Sequence, residues 1–310
     1  MGISALGRSR RGTTRRRTGE SYVRSGIRRV AIYAILLIVG VISSIPLYWM
    51  VITSLKVAGK EFLFPPVWYP NPQVWSNYVD VWTIIPHIPR YTFNSFFISI
   101  LATVGTMLSC SFVAFGFSRM NFPGKNVMFI ILIGTLMMPT IITLVPTFIL
   151  FKTLRMTDNP VPLIVPFWFG GGAFGGAFYV FLLRQFMMQL PRELDESGLV
   201  DGASYFRIYW QLILPLSGPA LAATAIFSFI QHWNEFLFPL IFINEATWRP
   251  LALGVRFFLN TYIGCCARGA TPWNMLMTAS FLMLLPILFV FFFAQKYFIR
   301  GIALTGLAGR

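Results

Sequence analysis

Two groups of polar residues stand out from a sequence that is otherwise almost wholly apolar. The first is Gln231-His232-Trp233-Asn234-Glu235-Phe236-Leu237-Phe238-Pro239, where Glu235 is the one acid inside a long apolar run. A carboxylate there can titrate or accept hydrogen bonds. Because an acid is costly in lipid, it should face a helix-bundle interior or a wet path, or else pair with a neighbouring helix. The second group lies between Pro191 and Pro219, PRELDESGLVDGASYFRIYWQLILPLSGP, which holds four of the ten acids. Its chemistry is that of a docking surface between apolar runs.

Catalytic chemistry is not expected. There is no phosphate-cradling glycine–lysine motif, no Gly-x-Ser-x-Gly elbow, no pair of neighbouring histidines and no acid pair within an apolar run. His87 and His232 are the sole histidines, and Cys110, Cys265 and Cys266 lack zinc or disulfide spacing, so a metal site is not expected either. Cys110 should serve packing, and the Cys265-Cys266 pair lies in a loop.

The elements that must position these residues are membrane helices. The chain has 310 residues, 56% hydrophobic and 11% charged, with mean hydropathy +0.68. A soluble domain has about a quarter charged residues, so this is an integral membrane protein. Net charge is +15, but 9 of the 25 basic residues lie in the first 29 positions. A basic tail beside a span is an orientation signal drawn to anionic lipid, and no nucleic acid is expected.

The predicted architecture is all-α, with spans at about 30–55, 93–117, 127–151, 161–183, 219–243 and 273–295. The run starting at Val30 is too long for a signal-peptide core and reads as a retained span. Residues 1–29 read as a disordered basic tail, 30–299 as the membrane domain and 300–310 as a terminal tail. Residues 56–92, rich in proline and aromatics, read as short interfacial pieces. Pro139 and Pro146 predict a kinked third span. In the fourth, the run Gly170-Gly171-Gly172-Ala173-Phe174-Gly175-Gly176 predicts either close helix packing or an unwound segment beside a cavity.

Between spans four and five, Pro191 and the acids Glu193, Asp195 and Glu196 mark a helix start. Leu199, Ala203, Phe206, Trp210 and Ile213 then recur at helical spacing as an apolar stripe. Gly202 interrupts it, which predicts two short helices meeting there, closed by Leu214-Pro215.

Here the chain resembles a known family. Glu196, Gly202 six positions on, and Leu212-Ile213-Leu214-Pro215 look like the coupling-loop signature of membrane subunits of binding-protein-dependent ABC importers. That signature reads Glu-Ala-Ala, three residues, Gly, nine residues, Ile, any residue, Leu-Pro. Ser197-Gly198 depart from its alanine pair, and Leu212 from its isoleucine. The turn SRMNFPGKN at 118–126, WNEFLFPL at 233–240 and QKYFIRGI at 295–302 are similar to the family's carbohydrate branch, that of the maltose-transporter permeases.

The resemblance implies a permease subunit that imports a sugar or oligosaccharide and itself binds no cofactor. ATP and Mg would sit on two separate cytoplasmic ATPase subunits, with a second, non-identical permease and an extracytoplasmic binding protein as further partners in a bacterial plasma membrane. It also implies that Glu196, Leu199, Gly202, Ala203, Phe206, Leu214 and Pro215 couple to the ATPase. Trp233, Asn234, Glu235, Gly171 and Gly172 are expected on the substrate path, Asn234 by hydrogen bonding and Trp233 by stacking on a sugar. Six spans place both termini on one side, where 17 basic residues fall against 8 opposite, and without the tail the split is 8 to 8. The positive-inside tendency makes that side cytoplasmic. A glycerol-3-phosphate importer uses the same kind of permease, although no Lys or Arg falls well within a span. A proton-coupled secondary transporter using Glu235 is a different class, which leaves the coupling stretch unexplained.

Overall fold

The computed structural model describes residues 19–171, 175–265 and 272–307, with side chains for 26–171, 175–260 and 272–293. All regular elements among them are helical. The chain divides into two compact units, 1–50 and 51–310. The first contributes most of α1, Gly19–Ser54, which begins well before the expected boundary at Val30. Glu20, Arg24, Arg28 and Arg29 are adequate helix formers, so the helix propagates outward from its apolar part.

In the second unit α2 (Asn77–Ile84) leads into α3 (Ile88–Arg119), the helix around which the others are arranged. Ser95, Ser99, Ala102, Thr106, Cys110, Ala114 and Ser118 recur along α3 at spacings of three or four and are all buried. Small residues in such a stripe let neighbouring backbones approach closely, and α6 (Val161–Trp168), α7 (Gly176–Met187) and α11 (Gly218–Asn234) pack there. Cys110, fully buried, belongs to this packing.

Among the described residues three helices are long and apolar enough to cross a membrane singly, at Gly26–Ser54, Ile88–Arg119 and Trp273–Phe293, and two bent pairs raise the number to at most five. Three of the six expected spans are interrupted. The third is broken by 97° between α4 (Lys125–Thr135) and α5 (Thr140–Thr153). Pro139 accounts for the break, since it disfavours helix in the residue before it, while Pro146 is accommodated inside α5. The fourth is split into α6 and α7. Gly170, Gly171 and Gly175 there adopt φ of 82°, 70° and 93°, and a Cβ on Gly176 would collide with the Gly170 carbonyl. Unwinding and close approach thus occur together. Gly172 lies outside the described residues, as does Cys266.

The fifth expected span ends early, α11 giving way after Asn234 to α12 (Leu237–Phe242). Pro239 lacks an N–H and would clash with the carbonyl of Glu235, which disfavours one helix running through both. The remaining helices are α13 (Leu251–Cys265) and α14 (Trp273–Leu307), which extends through most of the expected 300–310 tail.

A buried polar knot joins the end of α1 and the loop after it to α2 and α14. The Asn77 amide donates to the carbonyls of Ser54 (2.7 Å) and Lys56 (3.1 Å), while the Asn274 N–H donates to the Glu61 carboxylate (3.3 Å). These groups are separated widely in sequence and carry no local signal.

Candidate functional site: a hinged surface and a polar cavity

The stretch between Pro191 and Pro219 folds as Gly202 predicts. Helix α8 (Glu193–Val200) carries Glu193, Asp195 and Glu196 in its first turn, and Gly202 (φ 77°) reverses the chain. Ser204 caps α9 (Tyr205–Ile208) by accepting the Arg207 N–H at 3.3 Å. A π turn over Tyr209–Ile213 then leads to α10 (Leu214–Leu216), and the element meets α11 at 78°.

This geometry divides the expected stripe. Leu199, Phe206 and Trp210 are exposed, joined by Val200 at 86%, whereas Ile213 is fully buried and Ala203 and Leu214 are partly so. Reversal at Gly202 and the extra residue of the π turn destroy a single helical register, so Ile213 joins the core with Ile208 and Tyr209. Tyr209 also shares a 2.8 Å hydrogen bond with Ser111 of α3. Pro215 is exposed.

Two adjacent acids have different surroundings. Asp195 meets Arg119, at the end of α3, at 3.0 Å; Glu196 is exposed. Arg119, its side chain only 3% exposed, also donates to the carbonyls of Met187 (2.7 Å) and Leu190 (2.9 Å), closing the end of α7. Burial raises the Asp195 carboxyl above its ordinary value, and the Arg119 charge opposes the rise. Gly198 is buried where a Cβ would stand 3.1 Å from Ile208 Cγ1 and 3.4 Å from Leu212 Cδ1. Glycine thus lets α8 lie close to the second helix, a physical reason for its departure from alanine.

The second arrangement is a cavity of about 120 Å³ among α3, α5, α6 and the α11–α12 break. It has room for several water molecules. Its polar lining is Ser95, Thr140, Gln231, His232 and Glu235, against Leu163, Phe167 and Phe238. Oε1 of Glu235 accepts the N–H groups of Leu237 (3.0 Å) and Phe238 (3.3 Å), so the acid caps α12. Tyr179 donates to Gln231 at 2.6 Å. His232 is 8% exposed, and its Nε2 has no partner.

The other path residues are placed differently. Trp233 is buried between Phe96 and Phe229 and donates to the Met283 carbonyl at 2.9 Å, and Asn234 is exposed and bonds back to the Ile230 carbonyl. Gly171 lies in the break after Trp168. Gln231 and His232, in the same polar group as Glu235, had not been expected on the path, although both lie within about one turn of it, in the last turn of α11.

The chain is similar to other proteins over most of its length. Residues 105–304 match the family described as binding-protein-dependent transport system inner membrane component. The probable ABC transporter permease protein YurM of Bacillus subtilis (strain 168) is 30% identical over 85% of this chain and 83% of its own length. The sn-glycerol-3-phosphate transport system permease protein UgpE of Yersinia enterocolitica is 30% identical over 86% and 94%, and the arabinooligosaccharides permease AraQ of B. subtilis 28% over 91% and 96%. A chain in the crystal structure of a bacterial ABC transporter involved in import of the acidic polysaccharide alginate shares the fold, with TM-score 0.73 and 20% identity over 89% of this chain and 98% of that one.

Proposed function

Because the chain belongs to the binding-protein-dependent transport system inner membrane component family, we propose that it is the permease subunit of an ABC importer for a sugar or oligosaccharide. The observation that carries the mechanism is the hinged α8–α9 element. Its inner side is fastened to α3 through Arg119–Asp195 and Ser111–Tyr209, and its outer side presents Glu196, Leu199, Val200, Phe206 and Trp210. Such a piece can transmit the movement of a docked subunit to the helices behind it. We assign that docking to an ATPase carrying ATP and Mg, within a complex of two non-identical permeases, two ATPases and an extracytoplasmic binding protein in a bacterial plasma membrane. A six-crossing topology with cytoplasmic termini suits this arrangement, with α4–α5 crossing once, α6–α7 crossing once, and α11 crossing behind the α9–α10 element.

On this reading Glu235, Gln231 and His232 line the substrate path. Gly171 lies in the adjoining break, and Trp233 and Asn234 hold the helix end that carries them. Carboxylate, amide, imidazole and hydroxyl groups match a neutral ligand rich in hydroxyls. The similarity to UgpE favours glycerol-3-phosphate as second reading; a phosphate would call for a cation, and no Lys or Arg lines the cavity. Uptake by the reconstituted complex, driven by ATP and dependent on the binding protein, tests the function. Competition between oligosaccharides and glycerol-3-phosphate for the binding protein separates the two substrates. Uptake by this chain alone under a proton gradient would contradict the whole reading.

A further inference from the structure

The turn between α3 and α4 and the end of α7 enclose an open pocket of about 530 Å³. Lys125, Arg184 and Arg192 line it, and no acidic side chain does. Arg184 is held in place, its Nε donating to the Phe117 carbonyl at 3.2 Å and its guanidinium 3.9 Å from the Phe129 ring centroid. Lys125 donates to the Met120 carbonyl at 2.6 Å. Both cations have further donors than these contacts use. Asp195, an acid within electrostatic reach of Arg192, is already bonded to Arg119. Lys125, Arg184 and Arg192 thus bring three like charges to one pocket. Like charges gathered in this way are relieved by an anion.

The surroundings say which anion. Helix α4 starts in the pocket at Lys125, has no buried residue, and exposes Val127, Ile130 and Ile131. An uncovered apolar helix rising from a basic pocket matches a ligand with a negative head and hydrocarbon chains. We propose that Lys125, Arg184 and Arg192 form a binding site for the headgroup of an anionic phospholipid, with its acyl chains lying along α4. This stands apart from the substrate path and holds whatever the importer carries.

The test is to extract the whole transporter complex from nanodiscs of equal phosphatidylcholine and phosphatidylglycerol and to quantify retained lipid by mass spectrometry. Wild type should enrich phosphatidylglycerol, Lys125→Gln/Arg192→Gln should lower that enrichment by about fivefold per lost cation, and Arg184→Lys should keep it. Should the double variant fail to assemble, Arg192→Gln alone, on an exposed helix cap, carries the same expectation. Unchanged enrichment in the variant overturns the proposal. So does binding of inorganic phosphate without preference for phosphatidylglycerol, which marks a soluble-anion site. Loss of the ATPase with lipid enrichment intact also overturns it, assigning the pocket to that interface.

Discussion

Nη1 of Arg119 lies 3.0 Å from Oδ2 of Asp195, which fastens the first turn of α8 to the end of α3 across 76 residues of sequence. The pair divides the acids of that turn into an inner one, Asp195, and an outer one, Glu196. Removing one partner of a largely buried pair leaves the other uncompensated, at a cost of about 3 kcal/mol. Asp195→Asn should therefore lower the melting temperature of the purified complex, and Glu196→Gln should leave it unchanged. Equal melting of the two variants would remove the structural role of Asp195.

Gly202 has φ 77° and open space where a Cβ would stand. The penalty on substitution is thus in the backbone, about 1–2 kcal/mol for most L-residues and most severe for a β-branched one. Gly202→Val should insert in the membrane yet lose stimulation of ATP hydrolysis by the loaded binding protein, while Gly202→Asn retains most of it. Full stimulation with valine would sink the hinge.

Tyr209 and Ser111 share a buried hydrogen bond at 2.8 Å. Tyr209→Phe should destabilise the complex by about 1 kcal/mol, and adding Ser111→Ala should cost less than the two single changes together, because they remove one contact. Strict additivity in thermal melts would show that the contact contributes nothing.

The legible features were those set by local rules. Apolar runs placed the helices, and Gly202 marked the turn between α8 and α9. The breaks at Pro139 and Glu235 were legible only in part: proline announces a disturbance, but whether a helix kinks or stops depends on what packs around it. Helical periodicity assumed one register through residues 199–213, so it missed the π turn that buries Ile213 and leaves Trp210 exposed. The links from Arg119 to Asp195 and from Ser111 to Tyr209 are tertiary and had no sequence signal. In the cavity, Glu235 stood out as an acid in an apolar run; nothing local assigned His232, three residues before it, to the same lining.

Glu235→Gln keeps a carbonyl oxygen to accept the N–H groups of Leu237 and Phe238 and removes the charge. It should assemble normally and transport poorly. Glu235→Ala loses the cap as well and should be about 1 kcal/mol less stable. Normal uptake by the glutamine variant would take the acid off the working path, and failure of that variant to assemble would make its role structural.

The most direct measurement of the central claim is co-purification of the ATPase with Glu196→Lys, alongside transport. An exposed ion pair contributes at most about 1 kcal/mol, but a docked and partly desolvated one costs about 2–5 kcal/mol when one partner is removed. Leu199 and Phe206, exposed on the same element, can supply that desolvation by entering a cleft. Glu196→Lys should insert normally, lose the ATPase and lose uptake, and a charge reversal on the ATPase should restore part of both. ATPase recovered at wild-type yield together with normal uptake would show that α8 and α9 are not where the two subunits meet.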